Sequence, residues 1–321
     1  MPRNLHPAEA RKRKLFLDRT AAALGVRADQ AERMLSGELR SSVRINRLHA
    51  RPADEIAEEL SALTELQPIA WCPDAYHIFG DKRAITASTM FADGQVYVQN
   101  ASSLIPGLAL AAEPGHAILD VCSSPGGKAA HIAALTRNQA QLWVNDGIKP
   151  RLNKLREVVD LMAMRIEDMT NIPGQYLDKM VERKFDRILL DAQCSGEGMV
   201  NLERSDSLRY WTLERIEKMS RLQQRMLVAA FKCLAPGGVL VYCTCTIAPE
   251  ENEAPVDHLV RHYETAVVEP IPVDIPEGMA GLESWDKRSF DPELRHAMRI
   301  MPSPFFEAFF ICRIRKRAEA A

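Results

Sequence analysis

The stretch HAILDVCSSPGGKAAHIAAL, residues 116–135, reads as an apolar strand that ends in a glycine turn and opens a helix. Gly126 and Gly127 allow a backbone to come close to a ligand, and the free N–H groups at a helix start suit a carboxylate or a phosphate. Two phosphate-binding patterns fail here. Cys122 stands where a P-loop has its first glycine, Ala129 stands where it has the Ser/Thr that holds magnesium, and the G-x-G-x-x-G spacing is absent.

Outward from this turn, QLWVND, FDRILLD and GGVLVYCT are further apolar runs of strand length, separated by helical segments such as PRLNKLREVVDLMA. The alternation predicts an α/β fold with a Rossmann-like, mostly parallel, doubly wound sheet. Before the last run, Ile216, Met219, Leu222, Met226, Ala230 and Cys233 recur at helical spacing until LAPGG stops the helix. Asp146 closes the second strand nineteen residues after Gly127, where a doubly wound fold places an acid on a ribose; the alternative is a structural cap on the next helix.

The N-terminal part has another rhythm: helical composition from Pro7 to about Leu39, a strand at SSVRINRL, and a helix at PADEIAEELSALTEL. Residues 1–85 are expected to form a small α/β module and residues 86–317 the larger domain. The net charge of −2 conceals an asymmetry, because residues 1–50 hold eleven Lys/Arg against five Asp/Glu. That excess either attracts phosphates, with Arg44 and Arg47 as contacts, or is a solvated helical face. No apolar run reaches the ~20 residues of a membrane span or has the form of a signal peptide. Seven irregularly spaced cysteines do not suggest a disulfide framework, so a cytoplasmic protein with reduced thiols is expected.

Cys194 follows the strand end at Asp191, and Cys243 and Cys245 lie at the end of the last apolar run. Ligands of open α/β sheets bind along this edge. A metal is not expected, since zinc takes four ligands and no second Cys pair or nearby His supplies them. Packing remains open, as it does for Cys72, Cys233 and Cys312. So does nucleophilic catalysis, in which one thiolate adds to an electron-poor ring carbon and a second group removes a proton before it is expelled.

Four segments, DVCSSPGGK, NDGIKPRLNKL, ILLDAQCSGEG and YCTCTIAPEENE, resemble in order and spacing the signatures of the Sun/RsmB–RsmF family of RNA cytosine-5 methyltransferases. SVRINRL, MFADGQVYVQNASSLIPGLAL and MRIMPSPFFEAFFICRI extend the resemblance over roughly residues 40–317. It implies a class I methyltransferase domain, S-adenosylmethionine as cofactor, and an N-terminal module that helps hold RNA, with rRNA favoured over tRNA. It also implies a monomer with no metal and no membrane. Carried over by residue, it makes Cys245 the nucleophile, Cys194 the residue that assists release, Asp191 a partner of the cytosine ring and the cofactor, and Lys128 a further catalytic residue. Cys122, Ser123, Ser124, Pro125, Gly126, Gly127 and Lys128 would wrap the cofactor's methionine end, Asp146 its ribose, and Arg151 its edge. Cys243 takes a position usually held by serine.

Three departures qualify the match. Ser123 and Ser124 replace alanines, Gln193 replaces the proline before the second cysteine, and Pro173 stands where an aspartate contacts adenine, with Asp168 and Asn171 nearby. Two other readings are weighed: a DNA cytosine-5 methyltransferase that attacks with Cys194, against which Gln193 and the T-C-T segment argue, and a noncatalytic RNA-binding assembly factor on the same fold, which Pro173 favours and the presence of both cysteines opposes.

Overall fold

The computed structural model describes residues 6–318. Pro7 begins α1 (Pro7–Leu24), with the His6 ring accepting the Ala8 N–H. Gly25, at φ +66°, ends the helix in the left-handed conformation that side-chain-bearing residues resist, so the expected helical stretch is two helices, α1 and α2 (Ala28–Met34). Phe16 and Leu24 of α1 pack with Trp211 and Ile216 of the larger domain.

A four-stranded antiparallel sheet follows, ordered β2-β3-β1-β4, from β1 (Ser42–Ile45), β2 (Leu66–Pro68), β3 (Ala75–Ile78) and β4 (Val96–Gln99). On one face Val43 and Ile45 meet Ile56 and Leu60 of α3 (Ala53–Leu63), with two short helices, α4 (Lys82–Thr86) and α5 (Thr89–Ala92), closing the connection. The expected division after residue 85 falls before β4, which is hydrogen-bonded to β1. On strand pairing the module therefore runs through Gln99. The other face carries Arg44, which is 1% exposed, and Asn46, whose amide donates to the Met162 carbonyl at 3.1 Å. Arg44 therefore cannot reach a phosphate. Arg47 is ion-paired with Asp74.

After α6 (Ile105–Leu110) the chain alternates: β5 (Ala117–Asp120), α7 (Gly127–Leu135), β6 (Gln141–Asn145), α8 (Arg151–Leu161), β7 (Asp168–Thr170), α9 (Leu177–Met180), β8 (Phe185–Asp191), α10 (Leu213–Cys233), β9 (Leu234–Thr244) and α11 (Glu253–His262). Five strands pair in parallel in the order β9-β8-β5-β6-β7. The chain then adds β10 (Ala266–Glu269), β11 (Gly278–Ala280), a small hairpin of β12 (Ser284–Trp285) and β13 (Arg288–Ser289), β14 (Met298–Ile300) and β15 (Phe309–Lys316). β15 lies antiparallel to β9, with Phe310 opposite Thr244 and Ile311 opposite Cys243.

Helices cover both faces, so successive strand residues enter different cores: Ile118 packs with Ala130 and Leu155, Leu119 with Leu227 and Phe231. Each fully buried side chain of this size contributes about 1.5–3 kcal/mol, which explains why the strands are apolar without alternation. The order reverses between β5 and β8, and their carboxyl ends, Asp120 and Asp191, flank the crevice that such a switch point opens.

Candidate active site

A cleft of about 290 Å³ lies at this switch point, lined by Tyr97, Asn100, Asp120, Gly127, Lys128 and Asp191 among others. Cys122, Ser123, Ser124 and Pro125 also line it, so most of the expected cofactor loop faces the cleft. Gly126 does not. At φ +121° its Cβ position would lie 2.8 Å from Val158 Cγ1, so this glycine is required by the packing of α8. A Cβ on Gly127 would lie 2.6 Å from the Tyr97 ring. The close approaches expected of a ligand are thus made, in part, by the protein itself.

Asp146 and Arg151 stand behind the loop, outside the cleft lining. Asp146 is 1% exposed; its Oδ1 accepts the Ile148 N–H at 2.9 Å, and its Oδ2 lies 3.3 Å from Arg151 Nη1 without a hydrogen bond. Arg151 also donates to the Ser124 carbonyl, while the Ser124 hydroxyl donates to the Arg151 carbonyl at 3.0 Å. Asp146 thus caps the turn into α8 with one oxygen, while the other has an ion pair and no hydrogen bond. Asn171 donates to the Asp146 carbonyl at 2.6 Å and Pro173 packs on Gly147, whereas Asp168 lies two residues back from the strand end, opposite Trp143.

The cleft is acidic at its floor. Asp120 is buried with neither carboxylate oxygen hydrogen-bonded, and burial, followed by the charge of Asp191, pushes its carboxyl up to about 7. Lys128 Nζ donates to Asp191 Oδ2 at 2.8 Å and lies 5.5 Å from the Phe309 ring centre. Burial alone would lower the Lys128 pKa, but the Asp191 carboxylate, by its charge and its hydrogen bond, more than offsets it and holds the ammonium charged.

Beyond this ion pair the two strand ends bring the thiols together. Cys194 Sγ and Cys245 Sγ are 3.3 Å apart, both half-buried, in hydrogen-bond contact. The bond with Cys245, then burial, push the Cys194 thiol well above its usual range. Cys243 is fully buried on β9 opposite Asp191, and its Sγ–H donates to Asp191 Oδ1 at 3.5 Å. Burial, then the Asp191 charge, hold that thiol protonated.

Several polar groups of the site escaped the sequence reading. Asp120 could have been suspected as the acid that ends the strand of the opening stretch. Asn100 Nδ2 donates at 2.9 Å to Glu307, whose carboxyl burial pushes up to about 7. Glu307 also lines a second cleft of about 370 Å³, with Leu39, Met199, Asn201 and Phe306. Gly198, in the wall of the second cleft, donates its N–H to the Cys245 carbonyl at 3.0 Å. Glu251, within EENE, accepts the Ser195 N–H at 2.8 Å.

The chain matches the 16S rRNA methyltransferase RsmB/F family over residues 107–315 and the N-terminal domain of 16S rRNA methyltransferase RsmF over residues 13–101. It is 35% identical to a tRNA (cytosine(49)-C(5))-methyltransferase of Pyrococcus abyssi over 87% of this chain and 88% of that protein. It is 32% identical to the ribosomal RNA small subunit methyltransferase F of Cronobacter sakazakii over 94% of this chain and 63% of that protein, and so spans about three fifths of that relative. The crystal structure of a methyltransferase homolog protein from Pyrococcus horikoshii superposes with a TM-score of 0.82 at 28% identity, covering 97% of this chain and all of that one. With a switch-point cleft, a paired set of strand-end cysteines and these matches over most of its length, the chain belongs to the RsmB/F methyltransferase family.

Proposed function

We propose that the protein methylates carbon 5 of a cytosine in RNA, through a covalent adduct of Cys245 to carbon 6. The observation that carries this reading is the 3.3 Å contact of Cys194 and Cys245 beside the Lys128–Asp191 pair.

The residues present fit S-adenosylmethionine. Asp146 Oδ2, both oxygens of Asp120 and the Gln99 amide are buried without hydrogen-bond partners beside or behind a cleft of suitable size, and unsatisfied groups of this kind are rare unless a ligand uses them. Asp120, the 122–128 loop and Lys128 would hold its methionine end. Asp146 would take the ribose, with Arg151 released from it. When bound, the cofactor supplies an electrophilic methyl group whose sulfonium charge suits an acidic floor.

On this reading Cys245, as the thiolate, adds to carbon 6 and makes carbon 5 nucleophilic. The Lys128 ammonium lies beside the thiols, and Asp191 orients the ring. Adduct formation removes the negative charge of Cys245 and its hydrogen bond with Cys194, the largest cause that raises the Cys194 thiol. Once carbon 5 carries the methyl group, Cys194, having given its own proton to solvent, takes the one on carbon 5. The electron pair of that C–H bond restores the 5,6 double bond and expels Cys245. The target base must leave its stack to reach the thiols, and the second cleft gives room for the strand beside it.

The substrate is read as rRNA in preference to tRNA, and the enzyme as a cytoplasmic monomer without a metal. Among the described residues no helix is long and apolar enough to cross a membrane, and no group of three His, Cys, Asp or Glu side chains fits a metal ion. A radiolabelled methyl-transfer assay on total RNA and total DNA, followed by nucleoside analysis, tests the proposal. It predicts 5-methylcytidine in RNA; label in DNA, or in neither, would reject it.

A further inference from the structure

The helix α10 buries an apolar stripe that runs through Ile216, Met226, Leu227 and Ala230, and Gln223 sits within it, fully buried. A glutamine there is a poor packing choice: its Oε1 has no hydrogen-bond partner. Its Nε2, by contrast, makes two bonds, to the Gln193 carbonyl at 2.8 Å and to Glu251 Oε2 at 2.9 Å. The same Glu251 oxygen accepts the Ser195 N–H at 2.8 Å. The carbonyl before Cys194 and the N–H after it are therefore held by one buried amide–carboxylate pair.

The pair also reaches the other cysteine. Thr246, next to Cys245, shares a hydrogen bond of 2.8 Å with the Ser195 hydroxyl and lies 3.4 Å from Glu251 Oε1. Glu251 is itself fixed from the sheet, since the Tyr242 hydroxyl donates to its carbonyl at 2.6 Å. Bonds to a carboxylate are the stronger kind, and a loop held by one at Ser195 and by the Gln223 amide at Gln193 has few other conformations.

At Gln193 the restraint has a clear use. Where the family pattern has proline, φ is fixed by the ring, and glutamine lacks that constraint. We propose that Gln223 and Glu251 are positioning residues that hold the Cys194 loop against Cys245, supplying through hydrogen bonds the rigidity that proline would otherwise give. The role rests on the assignment of Cys194 to adduct release, so loosening the pair slows release more than methyl transfer.

The test uses the full chain, total bacterial RNA and labelled S-adenosylmethionine, and reads the first turnover, steady-state turnover and covalent protein–RNA complex on denaturing gels. Gln223→Leu keeps the buried volume and removes both N–H bonds; Gln223→Met, which adapts to irregular space, serves if the leucine variant does not fold. Expected are a first turnover within about threefold of the native protein, a steady state lower by about tenfold or more, and an accumulated adduct, as in Cys194→Ala. Adding Gln193→Pro to Gln223→Leu should restore steady-state turnover, which a merely structural loss would not allow. If Cys194→Ala traps adduct while Gln223→Leu and Gln223→Met trap none, or if proline gives no rescue, the positioning role is wrong. If Cys194→Ala itself traps none, the release assignment fails, and this role fails with it.

Discussion

The two halves of the sheet edge are built on opposite plans. At the ends of β5 and β6, buried carboxylate oxygens are left without hydrogen bonds: both of those of Asp120, and Asp146 Oδ2, which has only its ion pair with Arg151 at 3.3 Å. At the ends of β8 and β9 the groups around the thiols are bonded to one another, through Cys194–Cys245, Lys128–Asp191 and the Glu251 contacts. Orphaned buried groups are a standing cost to the fold that a ligand can relieve, whereas a satisfied network is fixed before any ligand arrives. The first half leaves acceptors open to a ligand, and the second, Gln223 Oε1 apart, holds its groups by bonds of its own.

The strongest way to break this comparison is at the thiols. If Cys245 is the nucleophile, Cys245→Ala should lower turnover by at least about 10³-fold and abolish any covalent RNA complex, because the adduct to carbon 6 forms through its sulfur. Cys194→Ala should instead trap a complex that survives denaturing electrophoresis. The reverse pattern would make Cys194 the nucleophile and move the mechanism to the DNA type.

The binding half predicts a smaller effect that leaves the chemistry intact. Asp146→Ala removes the free acceptor behind the loop and should reduce S-adenosylmethionine affinity by about 1–3 kcal/mol in calorimetry, with single-turnover methyl transfer preserved at saturating cofactor. Unchanged affinity would leave Asp146 with only its turn-capping bond to Ile148.

How far these halves could be read from sequence differs for a physical reason. Strands buried on both faces must be apolar throughout, so HAILD, QLWVN, FDRILLD and GVLVYCT were plain, and their alternation with helices gave a mostly parallel sheet. Alternation in SVRI correctly separated two faces of β1. It could not tell that the methyltransferase domain covers the second face, and Arg44, expected on RNA, is buried there. β4 escaped because VYVQ is short, only partly buried and set apart from its partner in sequence. Gln223 was invisible for a related cause, since counting apolar positions passes over the polar residue that shares their stripe.

Asp120 offers a way to sharpen the comparison through pH. Its carboxyl is raised to about 7 in the folded protein, against about 4 in an unfolded chain. Between these values the folded state binds more protons than the unfolded one, so this group's contribution to stability falls as pH rises through the window and is level above it. Asp120→Asn removes that dependence. Without cofactor, the variant should melt a few °C above the native protein at pH 8 and close to it at pH 4.5, while binding S-adenosylmethionine more weakly. An equal offset at both pH values would mean that the burial of Asp120 carries no charge penalty.

The smallest effect is expected where the two halves touch. Cys243 lies between them, fully buried, with its Sγ–H pointing to the same Asp191 that pairs with Lys128. Its thiol is held protonated by burial and by that carboxylate, so it is poorly suited to attack a ring carbon. Serine keeps a donor at the same place, and although its shorter C–O bond leaves a small gap, its hydroxyl bonds a carboxylate better than a thiol does. Cys243→Ser should therefore keep turnover within about threefold and leave the yield of trapped adduct in the Cys194→Ala background unchanged. If the substitution instead lowers turnover as far as Cys245→Ala does, the pair that performs the reaction includes Cys243, and the division between an open half and a bonded half has been drawn one strand position too far along β9.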